Sequence, residues 1–455
     1  MTNNTIQPVF SSETLSEWLT HLEKLHPNAI ELGLTRITEV GKRLNLIHFD
    51  AKVITVAGTN GKGTTCAYLE KILIDAGFKV GVYSSPHIHR YNERLRINLK
   101  ELDDKAHCEA FAIIEQARLD ISLSYFEYAT LACLYLLQKQ HCDYILLEVG
   151  LGGRLDATNM VESDLSVVTT IGIDHIDWLG SDREVIGFEK AGVFRSHKPA
   201  ICGELDAPVS ILKHAASISA DLKLAGKDFN FSVIDDKNWS WHGQKELSPI
   251  KQTLMPMQNA STAIAVIEAL AIDIAPQQLI KSVETASLAG RLQALSGYPC
   301  DFYIDVAHNP QSAQYLATQL QRLKADKGED CKVHAVVGML SDKDMSATLA
   351  ETNLFISDYS FVDLNCFRGA SSALLLEAYQ HSQNYNNVTN NIVSNITSNI
   401  NNDTTSNINN RHNVTCYKNV QSAVDQVVKS AAASDIIIVF GSFHTVSDIL
   451  TNWQG

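Results

Sequence analysis

The chain has 455 residues, which predicts about two to three domains with sizeable cores. Its formal net charge is −14 and no basic tract compensates for it, so a nucleic-acid binder is not expected. The nine cysteines are scattered and form no CxxC pair, and no apolar run reaches the roughly 18 residues of a membrane span. Residues 1–20 lack a signal-peptide pattern. These features predict a cytoplasmic protein without a membrane partner.

Near the N-terminus, a glycine-rich turn between a strand and a helix predicts a phosphate site. Val53–Ala57 is the expected buried strand, the turn is Gly58-Thr-Asn-Gly-Lys-Gly-Thr64, and a helix is expected from Thr65 to about Ala76. Such a turn directs backbone N–H groups and a positive helix end at an anion. Lys62 adds a charge for the outer phosphates, and Thr64 adds a hydroxyl for Mg²⁺. The spacing differs from GxxxxGK[ST] because Gly63 separates Lys62 from Thr64, and a fortuitous glycine-rich turn is the alternative.

The rest of the chain alternates between strands and helices, which predicts α/β domains with mainly parallel sheets. In the first half we expect helices at 11–26 (capped by Ser11 or Ser12), 35–46, 103–119, 127–140, 257–272 and 276–287, strands at 79–83, 143–149 and 165–170, and a hairpin around Trp239 and Trp241. In the second half we expect strands at 302–306, 332–337, 353–357 and 435–440 and helices at 311–323, 343–350, 371–380 and 419–431. The predicted domains are 1–294 and 298–455, and the asparagine-rich tract 384–413 is predicted to be a disordered insertion.

Several polar residues follow predicted strands, at the sheet edge where ligands of parallel sheets bind. Glu148 lies in an apolar strand, where a carboxylate is costly unless a cation or a donor meets it. Glu148 is predicted to be either a Mg²⁺ ligand or a base, and the alternative is a structural acid that is paired inside the protein. Ser85 offers a hard oxygen, His175 follows the next strand, and Lys190 by itself suggests only an exposed lysine at a helix end.

The motifs, taken together, resemble the bifunctional dihydrofolate synthase/folylpolyglutamate synthase branch of the Mur-ligase family. They are Gly58–Thr64, Glu148-Val-Gly-Leu-Gly-Gly-Arg-Leu-Asp-Ala-Thr-Asn159, Asp174-His175, Gly187-Phe-Glu-Lys-Ala-Gly-Val-Phe-Arg195, Gly290-Arg291, Asp305-Val-Ala-His-Asn-Pro310, Gly338-Met-Leu-Ser-Asp-Lys-Asp344 and Gly441-Ser-Phe-His-Thr-Val446. The resemblance spans nearly the whole chain, and only the asparagine-rich tract departs from it. It implies an N-terminal P-loop ATPase domain of Mur-ligase type with a mainly parallel sheet, and a smaller C-terminal Rossmann-like α/β domain.

The resemblance also implies the ligands of individual residues. ATP contacts are implied for Gly58, Thr59, Asn60, Gly61, Lys62, Gly63, Thr64, Asn259, Arg291, Asp305 and His308. Two Mg²⁺ sites are implied at Thr64, Ser85, Glu148, His175 and Lys190, with Lys190 carbamylated. The catalytic residues are then Lys62, Glu148, His175 and Lys190. A pterin pocket is implied at Glu31, Leu32, Gly33, Ser124, Tyr125, Phe126, Glu127, Leu155, Asp156 and Ala157, and glutamate contacts at His308 and Ser442.

The implied reaction is ATP-dependent addition of L-glutamate to dihydropteroate and to reduced folates through an acyl phosphate, by a protein expected to be a monomer. Three alternatives stay open: a folylpolyglutamate synthase without the first activity, another Mur-type amino-acid ligase, and a nucleotide-dependent switch. A peptidoglycan Mur ligase would carry a sizeable extra domain before the phosphate loop, whereas only residues 1–57 precede Gly58 here. A switch would not need the second α/β domain with Arg291, Asp305 and His308.

Overall fold

The phosphate loop follows the strand at the centre of an eight-stranded sheet. The computed structural model describes residues 14–26, 31–328, 330–383 and 412–453. It divides into two units, Met1–Ser287 and Leu288–Gly455. The sheet of the first unit contains β1 (Lys52–Ala57), β2 (Val80–Tyr83), β3 (Leu95–Ile97), β4 (Lys100–Glu101), β5 (Tyr144–Glu148), β6 (Leu165–Val168), β7 (Pro199–Cys202) and β8 (Asp221–Leu224).

These strands lie in the order β4-β3-β2-β5-β1-β6-β7-β8. All neighbouring pairs from β2 to β8 are parallel, and β3 and β4 extend one edge in antiparallel pairing. The chain leaves β1 towards β2 and β5 on one side and later returns to β6 on the other. The carboxyl end of β1 is therefore a topological switch point, where ligands of open α/β sheets bind.

Helices and a small second sheet complete the first unit. The helices are α1 (Leu15–Leu22), α2 (Thr35–Arg43), α3 (Lys62–Asp75), α4 (Asp104–Arg118), α5 (Tyr125–Gln140), α6 (Ile176–Leu179), α7 (Arg183–Ala191), α8 (Val209–Ser217), α9 (Met257–Ala269) and α10 (Pro276–Thr285). The region around Trp239 and Trp241 forms an antiparallel sheet of three strands, β9 (Asn230–Val233), β10 (Asn238–His242) and β11 (Glu246–Lys251). Both tryptophans are buried, and Trp241 Nε1 donates to the carbonyl oxygen of Ser261 at 3.2 Å, so this sheet packs against α9.

The second unit is built on six strands in the order β12-β13-β17-β14-β15-β16. These are β12 (Gln293–Leu295), β13 (Asp301–Ile304), β14 (Val333–Val337), β15 (Asp358–Val362), β16 (Asn413–Tyr417) and β17 (Ile436–Phe440). Its helices are α11 (Pro310–Lys327), α12 (Met345–Thr352), α13 (372–383), α14 (Val420–Ser430) and α15 (Phe443–Asn452). Only β12 is antiparallel to its neighbour. Within the described ranges, no helix has both the length and the apolarity needed to cross a membrane.

The sheet-based architecture confirms the predicted fold class, but several predicted boundaries were wrong. The strand expected at 353–357 lies instead at Asp358–Val362, because pairing with β14 fixes its register and the apolar residues before it form a loop after α12. Helix α3 begins at Lys62 rather than Thr65, since Gly61 takes up the left-handed turn. The first helix is capped by Thr14 through a capping box with Glu17, and Ser11 and Ser12 lie outside the described residues.

Two further expectations concern the second unit. The strand β12 pairs with β13, so the sheet of the second unit begins before the boundary predicted at 294–298. Most of the asparagine-rich tract, 384–411, lies outside the described residues. Its predicted end at 413 was wrong, because Asn413 opens β16 opposite Asp358. Helix α15 was not predicted at all.

Candidate active site

The phosphate loop is fastened to the end of β6 by side-chain hydrogen bonds. Thr169 Oγ1 donates to the Asn60 carbonyl oxygen at 2.6 Å, and Thr170 Oγ1 accepts from the Asn60 N–H at 3.1 Å. Thr59 Oγ1 donates to the carbonyl oxygen of Gly172 at 2.9 Å. Sequence reasoning missed the role of Thr169 and Thr170, although two hydroxyl residues at the end of the strand predicted at 165–170 were a usable signal. The loop is therefore held in shape before any ligand binds.

Gly58 has no room for a side chain. Its φ is +149°, and a Cβ would lie 1.8 Å from Thr169 Oγ1, which is itself bonded to loop carbonyls. We expect Gly58→Ala to lower the free energy of unfolding by about 2–4 kcal/mol, since overpacking and backbone strain add. Urea unfolding measures this loss.

Gly77 provides the matched control for that prediction. Its φ is +94°, and nothing lies within 4 Å of the position that a Cβ would take. Gly77→Ala therefore carries only the backbone cost of about 1–2 kcal/mol. Equal losses for the two variants would contradict the steric role of Gly58.

Two lysines meet at the carbonyl oxygen of Gly58. Lys62 Nζ donates to it at 3.1 Å and to the Thr59 carbonyl at 3.2 Å, while Lys190 Nζ donates to it at 2.9 Å. Lys190 is buried at the end of α7. Burial lowers the pKa of Lys190 from 10.5 to about 7, the positive charge of Lys62 acts in the same direction, and Asp174 opposes both. Far from being an exposed lysine, Lys190 has a largely desolvated amine.

Close backbone packing explains why Lys190 reaches the loop. A Cβ on Gly153 would lie 2.8 Å from the Glu189 carbonyl oxygen, and one on Gly192 would lie 2.3 Å from Arg154 Cβ. Arg154 N also donates to the Glu189 carbonyl at 2.8 Å. Two of the sequence motifs, the one after β5 and the one in α7, therefore pack directly on each other and bring Lys190 to Gly58.

Glu148 and Ser85 lie together at the ends of neighbouring strands. Glu148 is the last residue of β5 and is only 6% exposed, and Ser85 N donates to its Oε2 at 3.4 Å. The Ser85 hydroxyl is buried and has no hydrogen-bond partner. Because a buried unpaired hydroxyl is unfavourable, it suggests a ligand that completes the site.

The Ser85 hydroxyl and the Glu148 carboxylate are oxygen ligands of the kind that bind a divalent metal ion. Ser85 Oγ and the Glu148 carboxylate are hard ligands of the kind that Mg²⁺ prefers. Thr64 is buried in the first turn of α3, whereas His175 is exposed and caps α6 in a left-handed conformation at φ +54°. Within the described part of the chain, no three His, Cys, Asp or Glu side chains cluster as a metal site. Only Glu148 and His175 of the predicted metal ligands are of these types, so the predicted site also depends on hydroxyl and modified-lysine ligands.

A shallow cleft lies beside the two lysines. It is lined by Gly58, Thr59, Lys62, Gly150, Leu151, Gly152, Asp174, His175, Leu179 and Lys190. The cleft thus brings together residues that follow β1, β5 and β6 in the sequence. Asp174 belongs to one of the motifs but was not predicted as a site residue. Asn259 lies next to the phosphate loop, because a Cβ on Gly61 would lie only 2.5 Å from its Oδ1.

The three segments predicted to form the pterin pocket are neighbours in the structure. Arg36 Nη2 lies 3.1 Å from Glu127 Oε2 and Arg36 Nη1 also pairs with Glu31, while the Gly33 N–H donates to the Leu155 carbonyl at 3.3 Å. Leu32 is half-buried between Glu31 and Gly33.

Several polar side chains of the predicted pterin pocket form hydrogen bonds within the protein. Ser124 caps α5 and forms a capping box with Glu127. Asp156 accepts N–H bonds from Gly150 and Leu151 and a hydroxyl bond from Thr158, and burial raises its pKa despite them.

Aromatic side chains complete this part of the first unit. The Phe126 ring packs on Gly150, where a Cβ would approach its Cζ to 2.5 Å, and its centroid lies 6.4 Å from that of Tyr83. Tyr125 is half-buried at the start of α5, and Ala157 begins a short 3₁₀ turn. The pterin roles of these residues stay predictions.

In the second unit, the predicted residues gather at the ends of β13 and β17. The Asp305 carboxylate accepts the N–H groups of Leu292 and Ala307, both at 2.7 Å, and its burial raises its pKa. His308 Nδ1 donates to the Val306 carbonyl at 2.8 Å, so this nitrogen carries the proton.

Phe443 is a member of this group that sequence reasoning missed. Arg291 Cζ lies 5.5 Å from its ring centroid, and the His308 ring lies 6.1 Å away. Ser442, predicted to contact glutamate, caps α15 by accepting the Thr445 N–H at 3.0 Å. Phe443 lies in the motif Gly441–Val446, three residues after the strand predicted at 435–440, and this position was the available signal.

Comparison with known proteins agrees with this arrangement. The Mur ligase middle domain matches residues 56–267, and the Mur ligase glutamate ligase domain matches residues 290–443. The dihydrofolate synthase/folylpolyglutamate synthase of Escherichia coli strain K12 is 42% identical over 97% of this chain and 96% of its own length. The chain belongs to the dihydrofolate synthase/folylpolyglutamate synthase family. The resemblance predicted from the motifs is confirmed.

Solved structures of this family extend the comparison. The E. coli enzyme FolC in complex with DHPP and ADP superposes with a TM-score of 0.86 at 42% identity and covers 98% of both chains. A bifunctional folylpolyglutamate synthase/dihydrofolate synthase with Mn, AMPPNP and L-glutamate bound has a TM-score of 0.84 at 41% identity, over 98% of this chain and 99% of its own. These complexes agree with the predicted requirement for a nucleotide and a divalent metal.

Proposed function

We propose that this chain is an ATP-dependent ligase that joins L-glutamate to dihydropteroate and, in later rounds, to reduced folates. The observation that carries the proposal is the meeting of Lys62 and Lys190 at Gly58, in a cleft where Gly150 packs against the Phe126 ring of the predicted acceptor segments. A phosphate site and a carboxylate-acceptor site at one sheet edge suit phosphoryl transfer to a carboxylate. The full-length match to bifunctional relatives supports the same reaction.

In the first step, a carboxylate oxygen of the acceptor attacks the γ-phosphorus of ATP. The bond between that phosphorus and the β,γ-bridging oxygen breaks, and ADP leaves. The phosphate loop and the Lys62 ammonium hold the nucleotide phosphates and stabilise their charge in the transition state. Because Thr169 and Thr170 fix the loop beforehand, little reorganisation is needed at the moment of transfer.

In the second step, the α-amine of glutamate attacks the acyl carbon of the resulting acyl phosphate. The bond from the acyl carbon to the phosphate oxygen breaks, phosphate leaves, and the amine loses a proton as the amide forms. In the second unit, we infer that Asp305 and His308 face the nucleotide and that His308 and Ser442 contact glutamate. Each lies at the carboxyl end of a parallel strand, where α/β sheets bind ligands.

Mg²⁺ supplies charge neutralisation for the phosphoryl group when it is bound. We infer that Ser85, Glu148, His175, Thr64 and carbamylated Lys190 hold it. A neutral lysine amine attacks CO₂ through its nitrogen lone pair and loses one proton, so a carbamate anion replaces the amine. The low pKa of Lys190 makes the neutral amine available near pH 7.

Ser85→Ala tests the metal assignment. Because the hydroxyl is buried without a partner, its removal should leave the free energy of unfolding unchanged or slightly higher. The Mg²⁺ concentration for half-maximal activity should rise about tenfold, as expected for a lost ligand. Lower stability with an unchanged Mg²⁺ requirement would identify a structural hydroxyl instead.

The proposed function is tested with purified protein, ATP, Mg²⁺, L-glutamate and either dihydropteroate or tetrahydrofolate. Product masses should show one glutamate added to dihydropteroate and further glutamates added to the folate. Activity with the folate alone would identify a folylpolyglutamate synthase without the first activity. If neither acceptor supports ADP release and product formation, the proposal is contradicted, and another Mur-type ligase or a nucleotide switch is favoured.

We also propose a monomeric, cytoplasmic protein. All nine cysteines are free, which suits a reducing compartment. Sedimentation equilibrium at micromolar concentration tests the oligomeric state, and a dimer would contradict this part of the proposal.

A further inference from the structure

Arg94 is a buried cation without a carboxylate partner in the described part of the chain. It ends the 3₁₀ turn Tyr91–Arg94 just before β3, and it is only 7% exposed. Its Nη1 is buried and makes no hydrogen bond, and among the described residues no Asp or Glu forms an ion pair with it. Arginine stays protonated in proteins, so this charge is present at every working pH. An uncompensated buried charge is unfavourable unless a ligand meets it.

The guanidinium group is nevertheless held in a fixed orientation. Its Nε donates to His87 Nδ1 at 2.9 Å, and its Cζ lies 5.8 Å from the Tyr91 ring centroid and 5.6 Å from that of Tyr125. Aromatic faces stabilise a guanidinium group and restrict its rotation. A planar fork that is held in this way is prepared to bind a carboxylate through two hydrogen bonds.

The position of Arg94 connects it with the acceptor side of the site. Its carbonyl oxygen accepts the Ser84 N–H at 2.9 Å, one residue before the unpaired hydroxyl of Ser85. Tyr125, which contacts the guanidinium group, adjoins Phe126, whose ring packs on Gly150 at the edge of the cleft. The charge therefore lies next to the segments that we assign to the acceptor.

Arg96, which lies two residues further on in β3, shows what a structurally paired arginine looks like. Its Nη2 lies 3.0 Å from Glu70 Oε2, and its Nη1 donates to Ser84 Oγ. Arg96 is thus paired inside the protein, whereas Arg94, two residues earlier, has no such carboxylate among the described residues.

We propose that Arg94 binds a carboxylate of the acceptor substrate and thereby helps to select acceptors that end in a carboxylate. This inference rests on the proposed function and adds a binding residue to it. Two sources share this chemistry: the carboxylate that reacts, present in both acceptors, and the second carboxylate of a terminal glutamate, present only in folates.

The test compares Arg94→Gln and Arg94→Lys with Arg96→Lys in steady-state kinetics and thermal unfolding. We expect Arg94→Gln to raise the KM for the acceptor tenfold or more, with little change in the KM values for ATP and glutamate. Arg94→Lys keeps the charge but loses the fork, so its KM should be intermediate. Arg96→Lys should lower the melting temperature and leave the acceptor KM unchanged.

The pattern across acceptors identifies the carboxylate. If Arg94→Gln raises the KM for both dihydropteroate and tetrahydrofolate, Arg94 binds the carboxylate that reacts. If it raises the KM for tetrahydrofolate alone, Arg94 binds the second carboxylate of the terminal glutamate. Unchanged acceptor KM values in Arg94→Lys or Arg94→Gln, with a lower melting temperature as in Arg96→Lys, would overturn the proposal. Should Arg94→Gln not fold, Arg94→Lys decides alone. Wild-type protein inactive with both acceptors would instead refute the proposed function, so the two failures are distinguishable.

Discussion

Lys62→Ala should abolish ligation while the protein stays folded. The side chain donates to loop carbonyls, so its loss removes a charge at the phosphate site without opening the core. Groups that stabilise a transferring phosphoryl group contribute roughly a thousandfold or more to the rate. We therefore expect turnover to fall by at least about a thousandfold, measured as ADP release that depends on glutamate and acceptor.

Lys71 provides the control for Lys62 on the same helix. It lies in the second half of α3, away from the phosphate loop, and pairs with Asp75 at 2.6 Å, one helical turn further on. Lys71→Ala should cost at most about 1 kcal/mol of stability and leave turnover near normal. Near-normal turnover in Lys62→Ala would refute the assignment of the loop.

Lys190→Ala should cause a comparable loss of activity, which small carboxylates such as acetate or formate should partly restore. We expect this because the active form of Lys190 is a carbamate anion, and a free carboxylate can occupy part of the space that the carbamate leaves. Intact-mass measurement of the wild type in alkaline bicarbonate should show the added carbamate. A free amine under those conditions, together with no rescue of the variant, would refute carbamylation.

The low pKa of Lys190 also predicts how stability depends on pH. The folded-state pKa is about 7 and the ordinary value is 10.5, so between these values the unfolded chain binds the extra proton. The contribution of Lys190 to the free energy of unfolding therefore rises as the pH increases from about 7 towards 10.5, and this contribution is constant below pH 7. Urea unfolding of the wild type in CO₂-free buffer should show this rise, and Lys190→Met should show a flatter profile.

Lys198 provides the control for both Lys190 experiments. Its side chain is about half exposed and lies 3.5 Å from Asp164, so Lys198→Ala should leave turnover and the pH profile unchanged. Identical pH profiles for the wild type and Lys190→Met would contradict the buried, neutral amine.

Much of the fold was predictable because its signals are local. A buried strand, a glycine-rich turn and a helix follow each other directly at 52–75, so short-range sterics decide the loop. The strand expected at 353–357 failed for the opposite reason. Its apolar residues satisfied the pattern, but hydrogen bonding to β14 selected Asp358–Val362.

The amino-acid sequence by itself determined the family, the phosphate loop and the two α/β units, since these depend on motifs whose residues are close in the chain. Only the tertiary structure decided the chemical state of the side chains. Lys190 and Gly58 are separated by 132 positions, and the lysine loses its ordinary pKa only because folding buries it beside Lys62. Likewise, Arg94 and Arg96 look equivalent in the sequence, and only packing pairs Arg96 with Glu70 and leaves Arg94 Nη1 buried without a hydrogen bond.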